Sequence, residues 1–163
     1  MPSFHWRRAT LAGITAGIVA TFFQIALWWL ASEPLPTLLF RDARLTAAIV
    51  MGPRALPPPA SFDAPIMLVA TLVHFALSIA YGLMLSAMLS RPSMRLSLLR
   101  YLFAGTAFGL ALYAINMYGF TLFFPWFALV RDWITAATHA VFGVVVAIVY
   151  RATGLKRHAV SQS

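Results

Sequence analysis

Long apolar stretches separated by short polar segments dominate the chain. A membrane-spanning helix needs about 20 mostly apolar residues, and four stretches meet this requirement, over residues 10–31, 65–90, 101–124 and 133–150. The pattern therefore predicts an all-α integral membrane four-helix bundle, which forms a single membrane domain over residues 1–163.

The connection between the first two stretches, residues 32–64, is long enough to hold structure of its own. Apolar residues at helical spacing in its first part predict an interfacial helix over about residues 38–51, which ends at Gly52. The prolines of the following stretch, PRALPPPASFDAP, exclude a continuous helix because they lack a backbone donor. We expect this stretch to be an extended strap over one end of the bundle.

The composition agrees with a lipid environment. The chain is 61% hydrophobic and 10% charged, whereas soluble domains are about 45–50% apolar and about 25% charged. It contains no cysteine, so disulfides, iron–sulfur clusters and thiolate zinc sites are excluded. We therefore expect the lipid bilayer to be the main partner of the surface.

The distribution of charge predicts the orientation of the chain. The net charge is +8, but the basic residues lie in the connections between apolar stretches, without the basic patch of a nucleic-acid-binding protein. One side of the predicted bundle has basic residues and no acidic ones, namely Arg7, Arg8, Arg91, Arg95, Arg100, Arg151, Lys156 and Arg157. The other side has Arg41, Arg44, Arg54 and Arg131 together with Glu33, Asp42, Asp63 and Asp132. Because segments rich in Lys and Arg remain on the cytoplasmic side of a membrane, both termini are expected to be cytoplasmic.

Two windows of the chain share the same spacing of characteristic residues. Arg8, Gly13, Gly17 and Gln24 recur, with the same intervals, as Arg100, Gly105, Gly109 and Asn116. This agreement predicts a parallel internal repeat, in which spans one and two correspond to spans three and four. The two halves would be related by an axis along the membrane normal.

Small residues recur every four positions in the predicted spans. Helices in lipid associate through close backbone approach, which small residues allow. The candidate helix-packing residues are Gly13, Gly17, Ser78, Gly82, Gly105, Gly109 and Gly143.

Each predicted span also carries one amide or imidazole on its small-residue face, and these four residues are Gln24, His74, Asn116 and His139. Gln24 and Asn116 each follow an arginine by sixteen residues, or about 24 Å at the helical rise. We predict that the four side chains form a polar layer inside the bundle. The layer has two interpretations: hydrogen bonds that fix helix register, or a site for a small ligand or for protons.

No nucleophile–base pair and no metal cluster is evident, so the sequence offers no catalytic residue and no metal site. No acidic residue lies within a predicted span, which argues against a carboxylate-based site. The working hypothesis is a non-enzymatic accessory or scaffolding protein, present as a homo-oligomer or as a subunit of a larger membrane complex. One alternative is a small-solute or proton-responsive transporter or channel that uses the polar layer. Another is an electron-transfer subunit that binds haem b through His74 and His139.

Several motifs resemble the YagU-like family of small bacterial inner-membrane proteins. The first span contains LAGITAGIVA after two arginines and is followed by EPLP. The second span contains LVHFALSIAYGLML and the third contains FAGTAFG. The dipeptide PW precedes the last span, which contains THAVFG and VYR. The resemblance implies a multi-pass protein of the bacterial inner membrane. It points to His74, His139 and the two glycine pairs, and it supplies no established reaction.

Overall fold

A computed structural model of the chain describes residues 5–90 and 97–160, with side chains as far as Gly154. These residues contain five α-helices and no strand, so the all-α fold class is confirmed. The helices are α1 (Trp6–Leu30), α2 (Leu35–Met51), α3 (Ala64–Leu89), α4 (Leu98–Ala114) and α5 (Trp133–Val160). Four segments are long and apolar enough to cross a membrane, namely Trp6–Leu30, Ala64–Leu89, Leu98–Leu122 and Trp133–Gly154. The fold is that of a helical membrane protein.

Several helix ends differ from the predicted positions. Helix α1 begins at Trp6 rather than at residue 10, and α5 continues to Val160 rather than ending at residue 150. Helix α2 already begins at Leu35, because proline is tolerated in a first helical turn, where its missing N–H would have had no partner. Of the basic residues used to predict orientation, Arg91 and Arg95 lie outside the described residues.

Aspartates begin two of the spanning helices. The side chain of Asp63 accepts a hydrogen bond from the Ile66 backbone N–H at 3.1 Å. The side chain of Asp132 accepts one from the Thr135 backbone N–H at 2.7 Å. Each bond satisfies a backbone donor that has no partner inside the first helical turn. These two acids therefore fix where α3 and α5 start.

The four spans pack in the order α3, α1, α5, interrupted third span, with α1 and α5 at the centre. Ala12 and Ala16 of α1 join Val146 and Ala147 of α5 in one fully buried cluster. Their short side chains let the two central backbones approach closely, which stabilises helix pairs in lipid. Helices α3 and α4 make few contacts with each other.

The predicted packing glycines are at the closest contacts between neighbouring spans. A Cβ added to Gly13 of α1 would lie 2.5 Å from the Ser78 carbonyl oxygen of α3. A Cβ added to Gly105 of α4 would lie 2.5 Å from the Gly143 carbonyl oxygen of α5. Gly82 meets Gly13 in the same way, and Gly109 meets the His139 carbonyl group. These glycines therefore join α1 to α3 and α4 to α5.

Helix α2 packs beside the N-terminal half of α3, where Ala47 and Ala48 share a buried cluster with Ile66 and Ala70. Arg44 of α2 is buried, although the sequence places it among the charges of the polar outer side. Its Nε donates to the Ser61 carbonyl oxygen at 3.0 Å, and its Nη1 donates to that of Ala55 at 3.4 Å. This arginine ties the proline-rich strap to α2.

The third span is interrupted, in contrast to the predicted continuous stretch over residues 101–124. After Ala114 the backbone forms a π-helix at Ile115–Gly119, and 3-10 turns follow at Phe120–Leu122 and Pro125–Val130. Arg131 stabilises the interruption, because its Nε donates to the Met117 carbonyl oxygen and its Nη2 donates to Thr121 Oγ1. π-helical turns often occur at functional sites, and this one carries Asn116.

Candidate functional site

A cavity of about 600 Å³ lies between the helices. Its walls come from α1, α2, α3, α5 and the interrupted third span. All four residues of the predicted polar layer line it, namely Gln24, His74, Asn116 and His139. Small-molecule sites usually have volumes of about 300–1,000 Å³ and mostly apolar walls with a few placed polar groups. The cavity has both properties.

The glycine contacts mark the floor of this cavity. On α1 every lining residue follows Gly17, and on α3 every lining residue precedes Gly82. On the third span every lining residue follows Gly109, and on α5 every lining residue precedes Gly143. The cavity therefore begins where the close backbone contacts of the four spans end, and it extends towards α2.

A directional chain of hydrogen bonds runs along one wall. His139 Nδ1 lies 2.8 Å from the Thr135 carbonyl oxygen. A carbonyl oxygen only accepts, so Nδ1 carries the proton and, in a neutral ring, Nε2 is an acceptor. That nitrogen lies 3.4 Å from Asn116 Nδ2, which donates to it, and Asn116 Oδ1 accepts from the Tyr81 hydroxyl at 2.9 Å. Every member of the chain has one defined direction.

The π-helical turn accounts for the position of Asn116 in this chain. A π-helical turn holds one more residue than an α-helical turn, so the side chains that follow rotate around the helix axis. Asn116 is the second residue of that turn and contacts Tyr81 on α3 as well as His139 on α5. It thereby connects two spans across the region where α3 and α4 barely touch.

His74 of α3 is bound to α1. Its Nε2 lies 3.3 Å from the Gly17 carbonyl oxygen and 3.4 Å from Thr21 Oγ1. Because the carbonyl oxygen accepts, Nε2 is the donor, and Nδ1 of the neutral ring is an acceptor. Within the described part of the chain no hydrogen bond to Nδ1 is found. His74 thus retains an acceptor on a residue that lines the cavity.

The pair of Thr21 and His74 does not have the arrangement of a nucleophile and its base. Thr21 Oγ1 donates its proton to the Gly17 carbonyl oxygen at 2.9 Å. The nearby His74 Nε2 also points a proton at that carbonyl group. A base must accept the proton of the nucleophile. Here both groups donate to the Gly17 carbonyl oxygen, so His74 Nε2 cannot accept the proton of Thr21.

Gln24 is hydrogen-bonded to a carboxylate of α2. Its Nε2 donates to Asp42 Oδ2 at 3.3 Å, while Arg41 Nε donates to Asp42 Oδ1 at 2.8 Å. Burial raises the pKa of Asp42 above its usual value of 3.8, and the neighbouring Arg41 opposes this shift. Asp42 lines the cavity. The absence of acidic residues from the predicted spans argued against a carboxylate-based site, but that argument considered only the spans, and α2 brings Asp42 to the cavity.

The four predicted residues surround one cavity but do not form one hydrogen-bonded ring. Asn116 and His139 contact each other, His74 contacts α1, and Gln24 contacts α2. These are three separate groups on the wall. The layer consequently leaves an open space between its members.

Two lining residues were missed that the sequence pattern contains. Tyr81 follows His74 by seven positions and therefore lies on the same helical face. Asp42 precedes Leu45 and Ile49 by three and seven positions, so it lies on the apolar face of α2. A polar residue on an apolar face was the available signal in both cases.

Part of the cavity wall is also outer surface. Phe22 of α1 lines the cavity and is 68% exposed, and Ile18 and Leu77 are lining residues that are exposed as well. All three belong to segments long and apolar enough to cross a membrane. The cavity therefore adjoins a surface that suits lipid acyl chains.

Comparisons with protein-family models, with characterised proteins and with solved structures found no match.

Proposed function

We propose that this chain is a non-enzymatic membrane protein that binds a small, mainly apolar molecule in the cavity between its helices. The observation that carries the proposal is the convergence of Gln24, His74, Asn116 and His139, one from each span, on a single space of about 600 Å³. Hydrogen bonds join these side chains to neighbouring helices, as between Asn116 and His139, but all four also border an open volume. Gln24, His74 and Asn116 keep capacity for further hydrogen bonds.

The glycines support this proposal over a scaffolding or accessory role. Gly13, Gly82, Gly105, Gly109 and Gly143 meet the backbones of neighbouring helices within the chain. They are therefore not free to contact a second copy or a partner subunit. The packing hypothesis explains these residues but leaves the cavity without a role.

The hydrogen bonds of the imidazoles favour a solute over haem. Iron ligation through Nε2 would remove the bond of His74 to Gly17 and that of His139 to Asn116. The His74 ring would also have to turn away from α1, to which it is now bonded. We therefore propose a site for an organic solute, with the histidines as hydrogen-bonding groups.

We place the protein in the bacterial inner membrane, with both termini in the cytoplasm. The excess of basic residues on one side of the bundle supports this orientation. The resemblance to the YagU-like family supports the location, and we retain that assignment as part of the proposal.

The experiment measures binding of a neutral fluorescent probe, N-phenyl-1-naphthylamine, to the protein in lipid nanodiscs. The cavity variant is Ala43→Phe, since Ala43 lines the cavity, and the matched control is Val50→Phe, on an exposed position of the same helix. We expect saturable binding above that of empty nanodiscs, lost at least tenfold in Ala43→Phe and kept in Val50→Phe. Equal binding in both variants, or no excess over empty nanodiscs, would refute the proposal.

A further inference from the structure

The chemical class of the solute can be read from the polar groups of the cavity. Hydroxyl groups of four lining residues direct their only proton into the protein. Thr21, Thr46 and Thr71 donate to backbone carbonyl oxygens of their own helices, and Tyr81 donates to Asn116 Oδ1. A hydroxyl whose proton is engaged retains only lone pairs for a ligand. These residues therefore act as acceptors towards the cavity.

Further acceptors come from two ionisable residues. His74 donates through Nε2, which leaves Nδ1 as an acceptor in the neutral ring. Asp42 is the one acidic residue among the described lining residues, and no lysine or arginine is among them. Arg41 binds Oδ1 of Asp42, whereas Gln24, at 3.3 Å, is the one partner of Oδ2 among the residues that the structure describes. A ligand donor can therefore share or replace that long bond.

The apolar part of the wall is rich in aromatic rings. Trp28 of α1, Phe75 of α3, and Phe120, Phe124 and Phe127 of the interrupted third span all line the cavity. The faces of such rings attract cations within about 6 Å. An aromatic wall therefore lowers the cost of taking a positive charge out of water, and it also accommodates an apolar skeleton.

We propose that the cavity takes a small lipophilic amine in its protonated form, with the ammonium group at Asp42 and Gln24 and the apolar skeleton against the aromatic wall. This inference rests on the proposed function and specifies its ligand. At Asp42 a carboxylate or phosphate ligand would meet a like charge, which makes binding at this position unfavourable. An ammonium group supplies the N–H donors that these acceptors lack.

The test compares three probes that share one ring system and differ in the charge of the head group. They are 1-naphthylmethylammonium, 1-naphthalenemethanol and 1-naphthoate, and each displaces N-phenyl-1-naphthylamine from the protein in phosphatidylcholine nanodiscs. A hydrogen bond to a charged group is stronger than a neutral one by enough to change affinity about tenfold. We expect the ammonium probe to bind at least about tenfold more tightly than the alcohol. The carboxylate probe should bind most weakly.

Two substitutions should change this preference in opposite directions. Asp42→Asn should reduce ammonium binding to the level of the alcohol, and an unchanged circular dichroism spectrum in nanodiscs shows that the variant is folded. Arg41→Gln removes the internal counter-ion of Asp42 and should tighten ammonium binding. Asp63→Asn is the charge-matched control, because Asp63 caps α3 away from the lining residues and asparagine also caps helices well.

The outcomes separate the ligand class from the proposed function. Equal displacement by all three probes, or a preference for the carboxylate, overturns the inference about amines. If Ala43→Phe still abolishes neutral-probe binding in that case, the cavity remains a binding site and only the ligand class is wrong. If Asp42→Asn does not fold, the order of the three probes on the unaltered protein still decides the question.

Discussion

Replacing Gly13 with alanine should separate helices α1 and α3. The added Cβ would lie 2.5 Å from the Ser78 carbonyl oxygen and 3.0 Å from the Ile79 Cα. Both atoms belong to the backbone of α3, so no side-chain rotation can relieve the contact. Ordinary van der Waals contact requires about 3.5–4.0 Å, so the two helices must move apart locally by roughly 1 Å.

The free energy of this change can be isolated with a control in the same chain. Overpacking of a well-packed interface costs about 1–3 kcal/mol, while alanine in place of glycine favours a helix by about 0.5–1 kcal/mol. Gly119 lies in a helical turn where an added Cβ would meet no atom within 4 Å, so Gly119→Ala receives only the favourable contribution. The difference between the two variants should therefore be about 1–3 kcal/mol.

The assay is the free energy of unfolding in a lipid bilayer, measured for Gly13→Ala, Gly119→Ala and the unaltered protein. Gly105→Ala serves as the test of the internal repeat, because its Cβ would meet the Gly143 carbonyl oxygen at the same 2.5 Å. It should lose stability to a similar extent as Gly13→Ala. If Gly13→Ala is as stable as Gly119→Ala, close backbone approach does not hold α1 and α3 together.

Other predictions concern the site and the orientation. Tyr81→Phe leaves Asn116 Oδ1 without its donor, so the free energy of unfolding should decrease by about 1–3 kcal/mol. An unchanged midpoint of thermal unfolding would refute the directional chain of hydrogen bonds. Binding of the ammonium probe should decrease on acidification, because protonation neutralises Asp42. Burial raises the pKa of Asp42 above 3.8, nearby Asp132 raises it further, and Arg41 opposes the rise. The decrease in binding should therefore begin at a higher pH than for an ordinary aspartate. Asp42→Asn should remove this decrease in binding. It should not remove any pH dependence due to His74 or His139, which line the same cavity. An absorption spectrum of the purified protein should lack a Soret band, whose presence would restore the haem hypothesis. A cysteine at Ser61 should react with an impermeant thiol reagent from outside the cell and one at Ser97 should not, and the reverse pattern would invert the orientation.

The helices and their closest contacts were predictable because both depend on local composition. Apolar length identifies a span, and a glycine every fourth position identifies the face that meets a neighbour. Gly13 and Gly105 are at such contacts in the structure, in the same register relative to Ser78 and Gly143. The relation between the halves does not follow from these residues, since α1 packs extensively on α5 whereas α3 and α4 barely touch.

The site was predictable only in part because it depends on contacts between distant segments. The faces of the four spans indicated Gln24, His74, Asn116 and His139, and these residues do border one cavity. Asp42 was missed because the side chains that α2 turns inward depend on how the connection folds back. The interruption of the third span was missed because its sequence still has the length and apolar composition of a spanning helix. The side chain that stabilises the interruption, Arg131, lies after the span.

Packing and binding are separated along the helix axis, and this separation explains why a small chain can do both. The glycines bring the backbones together in one half of the bundle, where a cavity has no room. Beyond Gly17 and Gly109 the same spans carry Thr21, Gln24 and Asn116, which line the cavity with polar groups. Helix α2, held by the buried Arg44 and its strap, then supplies the carboxylate that the spans lack. The position at which each glycine series ends is therefore what determines the depth of the cavity, and the composition beyond that position determines what it can bind.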